Sequence, residues 1–173
     1  MTRTAVDETF DHVIKVVAEQ LLPRGFARRG RVLRIMAKDT CGIVEFQRSM
    51  KNSRDRLLFT VNVGVVSGCL LETGPSGLKN ARVIDAHVRE RIGMLLPEHS
   101  DKWWEITPST DPDALAREIS DLVVKEEVPY VQRYLSMESI ISLWESGQSP
   151  GLTNKQRLNN LAALKTKRQG GEG

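Results

Sequence analysis

From Leu57 to Val65 every second residue is a large apolar one: Leu57, Phe59, Val61, Val63 and Val65. Side chains alternate across a strand with period two, so this run commits one side of a long strand over 57–67 to a core. The other side carries Leu58, Thr60, Asn62, Gly64 and Val66. That mixed side predicts a sheet with one face covered and the other partly open to water. Two further strand-like stretches precede it, at 31–37 and 43–50, separated by the Asp39–Gly42 stretch and the polar run Lys51–Arg56. Short turns between successive strands imply an antiparallel meander. Residues 69–81 hold Gly74, Pro75, Ser76 and Gly77 and read as a loop. Residues 83–95 alternate again, with Ile84, Ala86, Val88 and Ile92 opposing Asp85, His87, Arg89 and Arg91. A short strand is expected at 102–107, centred on Trp103 and Trp104.

The period changes to that of a helix on both flanks. Val6, Phe10, Val13, Ile14, Val17 and Leu21 recur at three- and four-residue spacing, which puts them on one face of a helix over 4–22. Thr4 and Asp7 form a capping-box pattern at its start, and Pro23 and Gly25 end it. From residue 110 the chain reads as helical again. Thr110 with Asp113 suggests a second capping box, Pro112 suits a first turn, and Leu115, Ile119, Leu122 and Val123 make a stripe. Pro129 is expected to kink or break this helix near Val128. Helical segments follow at 130–136 and 137–146. A last helix begins at Thr153 and Gln156, with Leu158, Leu161 and Leu164 on one side, and Gln169–Gly173 is expected to fray.

Strands and helices are thus segregated along the chain, which is the α+β pattern. The expected architecture is an antiparallel sheet of about five strands, with an N-terminal helix and a C-terminal group of helices packed on one face. Residues 1–150 are read as a single α+β domain and 151–173 as a basic C-terminal helix with a frayed tail. The 173 residues, 40% hydrophobic and 27% charged, have a globular balance. Cys41 and Cys69 read as buried, reduced thiols rather than a disulfide framework. The N-terminal stretch carries acids where a signal peptide would be apolar, and the longest apolar runs, Cys69–Leu71 and Met94–Leu96, are far too short for a bilayer. The expectation is a cytoplasmic protein without a membrane partner.

The formal charge of +3 is unevenly placed. Residues 154–173 carry five basic residues against one acid, so the rest of the chain is close to neutral. Residues 24–56 hold ten basic and three acidic residues, whereas 98–127 hold nine acidic and three basic. One reading is two opposed solvated faces that partly pair with each other. The other is a basic hairpin that meets an acidic partner or a phosphate backbone. The hairpin lacks interleaved aromatics for base stacking, which ranks nucleic acid below a protein partner.

Catalytic signatures are sparse. His12, His87 and His99 fall on a helix, a strand and a loop without metal-ligand spacing. No glycine-rich loop runs from a strand into a helix, so no phosphate-binding loop, cofactor or metal is expected. The candidate binding residues are the polar and aromatic ones on the strands: Gln47, Asn62, Arg89, Arg91, Trp103 and Trp104. A mid-sheet amide or guanidinium needs hydrogen-bond partners or water. These residues therefore form either an internal network or the lining of a groove for a peptide or small anion.

The same residues carry a resemblance. Gly25-Phe26 after the first helix, Gln47, then Phe59-Thr60-Val61-Asn62-Val63-Gly64, Arg91-Ile92-Gly93 and Trp103-Trp104 follow in this order. The succession resembles the bacterial family catalogued as domain of unknown function 4304, over roughly residues 8–145, with the helix at 153–168 outside it. The resemblance implies an α+β fold and a bacterial source, and brings no activity or cofactor with it. The leading functional expectation is a non-enzymatic protein-binding module, accessory or immunity-like, with a protein partner, an acidic one among the candidates. One alternative is a small-ligand binder or enzyme using the same groove, Arg91 holding an anion, Asn62 and Gln47 orienting it, and His87 or Glu90 as base. The other is nucleic-acid binding through the basic hairpin.

Overall fold

The computed structural model describes residues 3–171. Helix α1 spans Ala5–Leu21, and its apolar stripe from Val6 to Leu21 is buried as the spacing predicts. The Thr4 hydroxyl accepts from the Asp7 N–H while the Asp7 carboxylate accepts from the Thr4 N–H, so two free donors of the first turn are satisfied reciprocally. Gly25, at φ +90°, turns the chain out of the helix in a left-handed conformation that a side chain would disfavour.

Six strands follow: β1 (Ala27–Arg29), β2 (Val32–Met36), β3 (Thr40–Arg48), β4 (Leu57–Ser67), β5 (Val88–Arg91) and β6 (Trp104–Ile106). All pairings are antiparallel, in the order β1-β2-β3-β4-β5, and β6 pairs with the first residues of β4. The long strand matches its expected bounds. β3 starts three residues before the predicted stretch and ends two short of it. β1 has no apolar alternation to reveal it; all three of its residues are exposed, and backbone pairing to β2 defines it.

The expected strand over 83–95 is corrected to four residues. Val83–Asp85 is a 3-10 turn, β5 covers Val88–Arg91, and Ile92–Leu95 is a one-turn helix, α2. Alternation over this stretch imitated a long strand, but Asp85 accepts from the Arg82 N–H and closes a turn there instead. Ile84 consequently stands 77% exposed rather than in the core.

Helices α3 (Pro112–Leu122), α4 (Val128–Tyr134), α5 (Met137–Glu145) and α6 (Asn154–Gly170) complete the chain. The cap of α3 is Asp111, whose carboxylate accepts from the Asp113 and Ala114 N–H groups. Thr110 instead accepts from the Thr107 N–H, so the expected Thr110–Asp113 box is replaced by an Asp cap. Between α3 and α4 the chain makes a π-turn, Val123–Glu127. The widened turn lies just before Pro129, where an α-helical turn would press the ring against a preceding carbonyl. The proline thus interrupts the α-helical ladder without separating α3 from α4. In α6, Leu161 and Leu164 are buried against Trp144 and Ile140, whereas Leu158, expected beside them, stays exposed. The helix runs through Gly170, further than expected, and the end of the anticipated frayed tail, 172–173, lies outside the described residues.

One sheet face is dry. Leu57, Phe59, Val61 and Val63 of β4, with Val44 and Phe46 of β3, pack against α1, α3 and α4. The opposite face is divided. Over one part the segment 68–86 folds back in 3-10 turns and sets Leu78, Ala81 and Ala86 on Cys41, Ile43 and Val66. The approach is close: a Cβ built at Gly64 would lie 2.6 Å from that of Ala86. The rest of this face is left to polar residues.

Candidate functional site

Directly paired residues in an antiparallel sheet project to the same side. The register therefore puts Arg29, Val32, Glu45, Asn62 and Arg91, one from each of β1 to β5, in a single row across the divided face, with Val32 under the covering segment and Asn62 and Arg91 outside it. Gln47, two residues beyond Glu45 on β3, shares that face. The Asn62 side-chain amide donates to the Gln47 carbonyl oxygen at 2.8 Å, and Arg91 Nε donates to Asn62 Oδ1 at 3.3 Å. Arg91 Nη1 also donates to Asp101 at 2.6 Å. Asp101 accepts from Trp103 Nε1 at 3.0 Å, and the Arg91 guanidinium lies 5.3 Å from the Trp103 ring centroid. Hydrogen bonds from Arg91 and Trp103 hold the Asp101 carboxyl below the usual carboxylate range. Four of the six expected site residues, Gln47, Asn62, Arg91 and Trp103, thus form one chain of contacts.

The tryptophan pair is split. Trp104 faces the core, stacked on Phe59 at 5.7 Å between ring centroids and donating from Nε1 to Glu118. Consecutive strand residues point to opposite faces, so only one of two adjacent tryptophans can reach the polar side. Arg89 lies on the polar side but joins a different set. Its guanidinium donates to the carbonyls of Ile84 and Gly151, both at 3.2 Å, and its N–H donates to Pro150. It therefore ties the linker before α6 to the edge of β5.

The network does not fill the face. Beside it runs a groove of about 760 Å³ lined by Glu45, Gln47, Asn62, Arg89, Arg91 and Asp101, with Arg82, Val83, Ile84 and Met94 along its sides. Glu45 is held by Arg82 Nε at 2.9 Å and by the Val83 N–H at 2.9 Å. The polar floor is flanked by apolar side chains, Ile84 at 77% and Met94 at 42% exposure. Glu45, Arg82, Ile84, Met94 and Asp101 were not among the site residues expected from the sequence. Glu45 alone carried a signal, since it alternates with Val44 and Phe46 and shares a side with Gln47; the others reach the groove from turns and from α2.

Of the two candidate bases, His87 has its Nδ1 lone pair engaged by the Ser67 N–H at 3.0 Å. Burial pushes its pKa down to about 4, so the ring is neutral with its proton on Nε2. Burial raises the Glu90 carboxyl from its ordinary value. Among the described residues no group of three or more His, Cys, Asp or Glu is placed to hold a metal ion. The segments of opposite charge remain largely apart: among the described residues Arg56–Glu105 is the one ion pair that joins 24–56 to 98–127. No described helix is long and apolar enough to cross a membrane.

No curated protein and no solved structure matches the chain. A family model does match, over residues 17–133, which takes in the whole sheet and ends within α4, leaving α5 and α6 beyond it. The chain belongs to that family, described as a domain of unknown function, DUF4304.

Proposed function

We propose that this is a non-enzymatic binding module that takes a segment of a partner protein in the groove on the uncovered sheet face. The observation that carries the reading is the pairing of an ionic floor with an apolar wall. Ile84 and Met94 offer exposed apolar surface next to Arg91, Asn62 and Gln47. A polypeptide can use both, burying one side chain and hydrogen-bonding with its backbone or an acidic group. The groove charges already sit in opposed pairs, Glu45 with Arg82 and Arg91 with Asp101, an arrangement that selects a partner by orientation more than by net attraction. In the same reading residues 1–150 are the binding domain of a bacterial accessory protein, and 151–173 are an appended basic helix.

The test is site-specific crosslinking. A photo-reactive residue at Ile84 should capture a saturable partner from the cell of origin, one at the fully exposed Met50 should not, and Arg91→Gln should abolish capture. Capture that is equal from both positions, or indifferent to Arg91, would reject the groove. The enzyme alternative loses one base in His87, because its free lone pair is already committed. Glu90 pairs with Val63 on the covered face, so turnover of a small molecule that survives Glu90→Gln and is lost in Arg91→Gln would restore that alternative.

A further inference from the structure

A second depression, of about 350 Å³, lies at the other end of the cross-strand row, lined by Arg29, Arg31, Val32, Arg34, Asn80 and Arg82. Four guanidiniums therefore surround one small space. Arg82 is paired with Glu45. Arg29, Arg31 and Arg34 have no carboxylate partner among the described residues. Their orientations are nevertheless set. Arg34 uses only Nε, donating to the Ala81 carbonyl at 2.7 Å, and Arg29 uses Nη1 on Asn80 at 3.2 Å. Most of their donors remain free to converge on an acceptor. Burial lowers the Arg34 pKa from its ordinary value; Arg82 and Arg29 act in the same direction, and Cys41 and Glu45 act against them.

Edge protection explains part of this charge. β1 is an edge strand, and arginines there discourage pairing with another chain. It does not explain Arg34, which lies on an interior strand, or Arg82, which arrives on the covering segment. The β1–β2 hairpin and the covering segment bring these like charges together with Glu45 beside them, and a further anion would relieve the repulsion that remains.

We infer that this depression is a binding site for a compact, multiply charged phosphate group such as a diphosphate. Guanidinium forks match phosphate oxygens bidentately, and arginine is the only basic residue in the lining. Four arginines around about 350 Å³ suit adjacent phosphoryl groups more than the spaced phosphates of a nucleic acid. No aromatic side chain lines it, so the phosphoryl group is read and a base is not. The site is independent of the groove, sharing with it only Arg82.

The test is calorimetric titration of the full chain with inorganic diphosphate. Saturable binding is expected, weakened about tenfold or more in Arg31→Gln and further in Arg29→Gln/Arg31→Gln. Both positions are exposed, so the fold should survive, which circular dichroism checks. Arg54→Gln, on the same basic segment but outside the depression, and Arg91→Gln in the groove should bind as the parent does. A nucleoside diphosphate should bind no tighter than diphosphate itself. No saturable binding at millimolar diphosphate overturns the inference. So does equal weakening by Arg54→Gln, which would mean diffuse charge attraction only. A single-stranded oligonucleotide that binds and is not displaced by diphosphate overturns it in favour of nucleic acid.

Discussion

Trp103 and Trp104 are neighbours in the chain and inhabit opposite faces of one sheet. Trp104 is stacked on Phe59 beneath α1 and α3, while Trp103 lies against Arg91 and Asp101 in the polar network. The two faces satisfy their charged groups differently as well. Glu45 and Asp101 on the groove side each have an ion-pair partner. In the helical layer on the other side, both carboxyl oxygens of Glu127 are buried without a hydrogen-bond partner, as is the Tyr130 hydroxyl. Burial pushes the Glu127 carboxyl up to about 8, so near neutrality it is largely protonated. The covered face thus supplies cohesion and tolerates an unpaired acid; the groove side pairs its carboxylates Glu45 and Asp101 with arginines. Stability should depend on the first, recognition on the second.

The largest effect that could break this contrast is at the tryptophans. Trp104→Ala should cost about 3–5 kcal/mol in urea unfolding, because it empties a core position. Trp103→Ala should cost about 1 kcal/mol or less, since its ring is only half-buried and its loss opens no core cavity. Equal costs would mean the faces are not energetically distinct.

The next effect is at Glu127. Its folded pKa is raised, so between about 4.5 and 8 the folded state holds a proton that the unfolded state has released. The Glu127 contribution is full below about 4.5 and is lost as the pH rises toward 8; the depressed His87 pKa opposes it up to about 6.5, so the net fall in stability is expected between about 6.5 and 8. Glu127→Gln cannot release that proton. It should flatten the slope and raise stability at pH 7 by roughly 1–3 kcal/mol, read from unfolding curves at several pH values. A parent protein whose stability is flat between about pH 6.5 and 8, or a Glu127→Gln variant with the parent's slope there, would sink the idea.

Smaller effects belong to the groove. Asn62→Ala removes the link between Gln47 and Arg91 and should cost about 1 kcal/mol. Arg91→Gln should change stability by less than about 1 kcal/mol, because its pairs with Asp101 and Trp103 are partly solvated, yet should abolish partner capture. A stability loss as large as that of Trp104→Ala would recast the network as a structural pin.

Much of the framework was legible in the chain. Period-two alternation marked β4 over its full length, and period-3.6 stripes with Thr4–Asp7 and Thr153–Gln156 located α1 and the start of α6. Gln47, Asn62 and Arg91 stood out as polar residues at mid-strand positions, and the fold brings them into contact. β1 escaped notice because an exposed edge strand needs no apolar pattern. The 83–95 stretch misled because alternation records which side a residue faces only while the backbone stays extended, and the Arg82–Asp85 turn ends that condition.

By itself the sequence determined the α+β class, the antiparallel meander and the existence of a polar sheet side, since these follow from local periodicity and short connections. Tertiary structure alone decided that the covering segment stops partway across that side. It also decided that Trp104 turns away from Trp103's neighbours, and that Arg29, Arg31, Arg34 and Arg82 close around one space. Such outcomes depend on strand register and on where a turn folds back. Those are contacts between residues far apart in the chain, which no local pattern encodes.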